Sequence, residues 1–196
     1  MVMIRPRAAG FCYTDLEFDS MIRDLEWFAE SGADGFVTGC LRADGSLDHE
    51  RNADLVKRAN GLPVVCHRCF DVVSNPRKAL EGLIELGFAR VLTSGRRPTA
   101  MEGADNIRQF REQANGRIEI LPGGGIRAAD VAELLRRTGC DQIHLAPLRH
   151  QADPSTSGNP EIYFAGSLTS DEGKFDIVDL AEVRATVAAA KHGPGG

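Results

Sequence analysis

The sequence predicts an α/β fold, a TIM-type (β/α)8 barrel that lacks its first βα unit. Three observations predict it. Six short apolar runs recur about every 28 residues, the size of one βα unit. Stretches with helical apolar spacing lie between them. The runs end in polar or Gly-rich segments: Arg5-Pro6-Arg7, His67-Arg68, Thr93-Ser94-Gly95 and Gly123-Gly124-Gly125. Regular strand–helix alternation means a parallel sheet, which leaves a barrel or an open doubly wound sheet. Chemistry spread over several strand ends favours the barrel. A dinucleotide-binding sheet would concentrate it after the first strand, and no G-x-G-x-x-G is present. Seven strands at most can be counted against the eight of a barrel, and the chain opens directly within a strand. The missing unit is therefore expected to be the first.

The expected strands are 2–4, 35–37, 63–65, 90–92, 118–121 and 142–145, each short and rich in aliphatic or β-branched residues. A weaker seventh run, 175–178, follows a longer gap. The first helix carries Phe18, Met21, Ile22, Leu25 and Phe28 on one stripe, opens with the capping box Thr14–Glu17 and stops at Gly32. Residues 48–59 have a weaker stripe. The next helix starts at Asn75-Pro76, points Leu80, Leu83 and Ile84 inward and ends at Gly87. A second capping box, Thr99–Glu102, precedes a helix with Ile107 and Phe110. Val131, Leu134 and Leu135 mark another, ended by Gly139, and 179–191 a last one. The stretch of about 149–174 is polar, with Pro, Ser and Gly, and reads as a long loop. The expected organisation is one domain over 1–192 with a frayed tail at 193–196.

Composition sets the class. The chain has 196 residues, is 42% hydrophobic and 26% charged, and carries a net charge of −5, values of a globular protein with a real core. The acidic balance argues against a broad nucleic-acid surface. No apolar run is long enough to span a membrane, and the N-terminus lacks the apolar core of a signal peptide. Cytoplasmic location follows as the default. Five cysteines fit a reducing compartment better than a disulfide framework.

Several of these segments together resemble the CutC copper-homeostasis family. They are Ile4-Arg5-Pro6-Arg7 with Phe11-Cys12-Tyr13, Val37-Thr38-Gly39, His67-Arg68-Cys69-Phe70-Asp71, Val91-Leu92-Thr93-Ser94-Gly95, the Gly-Gly-Gly-Ile-Arg turn at 123–127, and Ile143-His144. They occur in the family's order and cover residues 1 to about 148. The resemblance implies a TIM barrel and a role in copper handling in the cytoplasm. It also implies an additional N-terminal segment with the first strand, the first helix and a pair of adjacent cysteines proposed as copper ligands; this sequence contains none of it. Position 69, usually Ala in the family, is Cys here.

Two kinds of site are open. Cys66 and Cys69 form a C-x-x-C pair at the third strand end, and with Cys12 they are the candidate ligands for Cu(I), since soft thiolates suit that ion. Alternation along the strand turns Cys66 and His67 to opposite faces. Cys12, Cys40 and Cys140 read more readily as small core residues. The second kind is an anion pocket at the barrel mouth. Arg5, Arg7 and Arg68 can bind phosphate or carboxylate. Gly123, Gly124 and Gly125 let backbone amides and a helix N-terminus approach an anion, with Ser94 and Gly95 beside them. His67 and His144 are the acid/base candidates. The bland alternatives are ion pairs of the arginines with Asp15, Glu119 or Asp71, and a tight turn at the glycines. The expected partner is thus a copper ion or a small anionic ligand, with neither nucleic acid nor membrane; exposed strand edges would also favour a homodimer.

Overall fold

The computed structural model describes residues 1–159, 161–162 and 173–191. Five parallel strands form one sheet: β1 (Val2–Met3), β2 (Phe36–Thr38), β3 (Val64–Cys66), β4 (Arg90–Thr93) and β5 (Glu119–Pro122). Their spatial order is the chain order. A doubly wound sheet would reverse direction at a switch point; uninterrupted succession is the barrel arrangement.

Helices fill each crossover. α1 (Asp15–Glu30) starts at Thr14, whose side chain accepts from the Glu17 amide while Glu17 reaches back to the Thr14 amide. This capping box satisfies two orphan donors of the first turn. α2 (His49–Arg58) is capped by Asp48, and α3 (Pro76–Glu85) by Asn75 with Pro76 in its first turn. α4 (Ala104–Ala114) starts later than its capping box suggests. Thr99 and Glu102 do bond each other, but they close a separate turn, and the helix begins after Gly103 with no side-chain cap. Packing explains the delay. Gly103 lies directly on the Ser94–Gly95 backbone, where a Cβ would overlap the Ser94 carbonyl. α5 (Val131–Thr138) ends at Gly139 in the left-handed region, and α6 (Leu180–Lys191) is the last helix.

Strand alternation separates two cores. Ile4, Phe36, Val64, Cys66, Val91 and Ile120 pack outward in one cluster with the helices. Val65, Leu92 and Leu121, with Val37 against them, form a small second cluster of strand residues alone. Helices thus cover one face, and the other face is the barrel interior.

Two expectations for the C-terminal third are corrected. Residues 142–145 do not form a regular strand. Only His144 bridges, parallel to Gly123, its amide donating to Pro122 O at 2.8 Å. The stretch expected as loop from about 149 instead begins in β6 (Leu148–Ala152), which pairs antiparallel with β7 (Lys174–Val178) in a separate two-stranded ribbon. All of β6 is exposed, so no buried face imposes an apolar alternation from which a strand could be read. After β6 a 3-10 turn, Pro154–Thr156, is capped by Asp153; residue 160, residues 163–172 and the tail at 193–196 lie outside the described residues. Among those described, no helix is long and apolar enough to cross a membrane.

Candidate functional site

The carboxyl ends of the strands surround a cleft of about 390 Å³. Of the residues singled out in the sequence, Arg5, His67, Arg68, Gly124, Gly125 and His144 line it. They come from the ends of β1, β3 and β5 and from the bridge at His144, so separate βα units converge on one mouth. A larger cavity of about 620 Å³ lies at the other end of β5, around Asn115, Gly116 and Gly139. In barrels that end serves stability, and chemistry sits at the strand carboxyl ends.

Arg68 is the best-held cation of the mouth. It opens a 3-10 turn, Arg68–Val72, directly after β3. Its Nε donates to Asp71 Oδ2 at 2.7 Å and its Nη2 to Ser94 Oγ at 2.7 Å. Asp71 is itself fixed, accepting from the Thr93 hydroxyl and from the backbone amides of Ser94 and Arg96. One guanidinium nitrogen, Nη1, is left facing Gly124: a Cβ there would lie 3.1 Å from it.

Gly124 and Gly125 have φ of +117° and +66°. Glycine takes these values at little cost, and a side chain at 124 would fill the space in front of Arg68. Among the described residues the amides of Gly124, Gly125 and Ile126 donate to no protein group. Successive free amides of this kind form an anion-binding concavity. The following helix start contributes less than the sequence suggests. The Arg127 amide donates to Asp130 and the Ala128 amide to Glu182, so protein carboxylates already occupy those donors.

His67 is only 4% exposed. Its Nδ1 accepts from the Cys69 amide at 3.3 Å, which places the ring proton on Nε2. Burial, and then the positive charge of Arg5, pull its pKa down to about 4, so the ring is neutral at pH 7. Nε2 has no partner among the described residues. Phe11 packs on the imidazole with ring centroids 4.8 Å apart, and the Arg5 guanidinium lies 4.9 Å from the Phe11 centroid. His144 is exposed on the rim.

The other candidates lie elsewhere. Arg7 bonds Glu17 and the carbonyls of Ala8, Gly10 and Cys12, tying the loop after β1 to the start of α1. Ser94 supports Arg68 from beneath. Gly95 packs on Gly103, and Gly123 on Leu92 and His144. Cys66 and Cys69 sit behind the sheet in the main core, with their sulfurs 3.5 Å apart. Burial, and then the Cys66 thiol beside it, hold Cys69 well above the ordinary thiol range. Cys12, read as a core residue or a ligand, is exposed and so corrects the former reading; Cys40 and Cys140 are buried as expected. Among the described residues no three His, Cys, Asp or Glu side chains gather as a metal site. Two contributors went unrecognised in the sequence: Phe11 as the cover of His67, and Arg127 on the rim. The ion pair of Arg68 with Asp71, named in the sequence as an alternative to an anion pocket, does form, and it anchors the guanidinium at the cleft.

These features define a TIM-type barrel protein whose strand carboxyl ends carry a basic, amide-lined cleft. The comparisons make the assignment specific. The CutC family model matches residues 1–148. A CutC family protein of Treponema denticola is 49% identical over 183 residues, 93% of this chain and 74% of that protein. The human copper homeostasis protein cutC homolog is 39% identical over 97% of this chain and 70% of its own. The crystal structure of the copper homeostasis protein CutC from Streptococcus agalactiae superposes with a TM-score of 0.70 and 37% identity, covering 73% of this chain and 70% of that one. The chain belongs to the CutC family. An aldolase at 21% identity and TM-score 0.52 shares the fold alone.

Proposed function

We propose that the chain binds a small anion, a phosphate or carboxylate compound, at the mouth of the barrel. The observation that carries this reading is the pairing of Arg68 Nη1 with the free amides of Gly124, Gly125 and Ile126 across one cleft. A guanidinium fixed by a buried carboxylate loses little entropy when it meets an anion, and amide donors add directional bonds. Arg5 and Arg127 add positive charge around the same opening. The cleft's volume suits a small metabolite. Titration of inorganic phosphate by calorimetry tests the reading. Saturable binding, weakened at least about tenfold by Arg68→Ala, supports it. An unchanged affinity in Arg68→Ala overturns it.

A second reading concerns the copper of the family's name. The 3.5 Å approach of Cys66 and Cys69 favours it, since two thiolates suit Cu(I) carried as cargo. Both thiols would have to lose their protons within the core. An anaerobic Cu(I) titration against a chromophoric competitor checks this: stoichiometric binding lost in Cys66→Ser/Cys69→Ser supports it, and the same affinity in that variant removes the pair as the site.

A further inference from the structure

Deepening the anion reading and resting on it, we propose that the ligand carries an uncharged oxygen acceptor, a carbonyl or hydroxyl oxygen, beside its anionic group, and that His67 Nε2–H donates to that oxygen. Two walls of the cleft are chemically different. On the wall built by the loop after β5, free amides gather for negative charge, and Arg68 Nη1 reaches across from the end of β3 to face Gly124. On the wall at the end of β3, the cleft is lined by one imidazole whose proton position is fixed from behind by the Cys69 amide.

Among the described residues the imidazole's Nε2 is one of three buried side-chain polar atoms without a hydrogen-bond partner, with Tyr13 Oη and Thr186 Oγ1, and of the three residues only His67 lines the cleft. A buried N–H without an acceptor costs free energy that folding alone does not recover. Among the described residues Nε2 has none, although Nδ1 is satisfied; the atom is itself screened from solvent, with Phe11 packed on the ring, so an acceptor from the cleft reaches it only as that packing gives way. A bound group that accepts from Nε2 removes that cost. The acceptor should be uncharged. An anion placed against the ring would draw it toward the imidazolium, whereas burial and Arg5 both hold it neutral. A neutral imidazole donates well to a carbonyl or hydroxyl oxygen and polarises a carbonyl without giving up its proton. The cleft of about 390 Å³ has room for more than one phosphate ion, so a second polar group fits within it.

The test uses two probes that differ at one position, ethyl phosphate and 2-oxoethyl phosphate, titrated into the intact protein by calorimetry at pH 7. The expected result is that 2-oxoethyl phosphate binds about tenfold more tightly, the worth of one buried hydrogen bond. The ratio should fall toward one in His67→Leu and recover in part in His67→Gln, which keeps an N–H donor. Nitrogen-15 spectra of labelled histidine should show the His67 Nε2–H signal move downfield with 2-oxoethyl phosphate and not with ethyl phosphate. Thermal melting confirms that each variant is folded. Equal affinity for the two probes in the unaltered protein overturns the proposal while leaving the anion site standing. So does a preference that survives in His67→Leu. Failure of both probes and of inorganic phosphate to bind overturns the anion reading and this proposal together.

Discussion

Asp71 holds Arg68 in place: its Oδ2 accepts from Arg68 Nε at 2.7 Å, and the carboxylate also accepts from the Ser94 and Arg96 amides and the Thr93 hydroxyl. The Asp71 side chain is 8% exposed and that of Arg68 44%. One residue is the anchor and the other the reaching group. The 3-10 turn after β3 sets them three residues apart, and the last residue of β4 together with the segment after it supplies the remaining donors.

Asp71→Asn is therefore expected to cost about 3 kcal/mol of folding stability. It replaces an acceptor-only group, and an amide NH2 then faces N–H donors that lose their partner. Urea unfolding should show the lower midpoint. Phosphate affinity should fall in parallel, because Arg68 is no longer oriented. Unchanged stability would remove Asp71 as the anchor.

Stability should fall as pH drops from about 6.5 to about 4. His67 titrates near 4 in the folded protein and near 6.5 when unfolded. Between these values the unfolded state holds the extra proton, so acid favours unfolding; above 6.5 the contribution is fully present, and below 4 both states are protonated and the loss is complete. The loss attributable to His67 is at most about 3 kcal/mol. Denaturant midpoints across this range should be steeper in the unaltered protein than in His67→Gln. Parallel profiles would contradict a neutral buried ring.

Gly124→Ala is expected to lower phosphate affinity about tenfold, with a smaller stability cost of about 1 kcal/mol. The new methyl group would stand in front of Arg68 Nη1 and would strain a φ of +117°. Calorimetry and urea unfolding on one preparation separate the two effects. A stability loss with unaltered phosphate affinity would make this glycine a turn residue alone.

Thiol accessibility provides an independent check of the architecture. Of the five cysteines, Cys12 is exposed and Cys40, Cys66, Cys69 and Cys140 are buried. Burial pushes Cys40 up to about 12 and Cys69 well up also. A thiol reagent at pH 8 should modify one cysteine rapidly and four only after denaturant is added. Fast labelling of Cys69 would place the C-x-x-C pair in reach of solvent and strengthen the copper reading.

Much of this was legible in the sequence, for physical reasons that vary by element. Thr14, Asn75 and Gly139 mark helix ends through local hydrogen bonding and backbone preference, so α1, α3 and α5 can be read from neighbours in sequence. The runs of β2 to β5 are mostly buried and carry their own apolar signal. β6 has no buried face, and the region around His144 makes a single bridge, so neither leaves a pattern. The convergence of Arg5, His67, Arg68 and the glycines followed from barrel topology. The diversion of Arg7 to Glu17 did not, since both residues are local to the β1–α1 connection and either partner was chemically adequate. Nor was it legible that Asp130 and Glu182 take the amides at the start of the next helical segment, because Glu182 comes from α6, far along the chain.

The most direct test of the anion cleft is the amide spectrum of the nitrogen-15-labelled protein during addition of inorganic phosphate. Saturable downfield shifts are expected at Gly124, Gly125 and Ile126, absent in Arg68→Ala. Unmoved signals at those three residues, or shifts centred instead on Asn115 and Gly116 at the opposite end of β5, would contradict it.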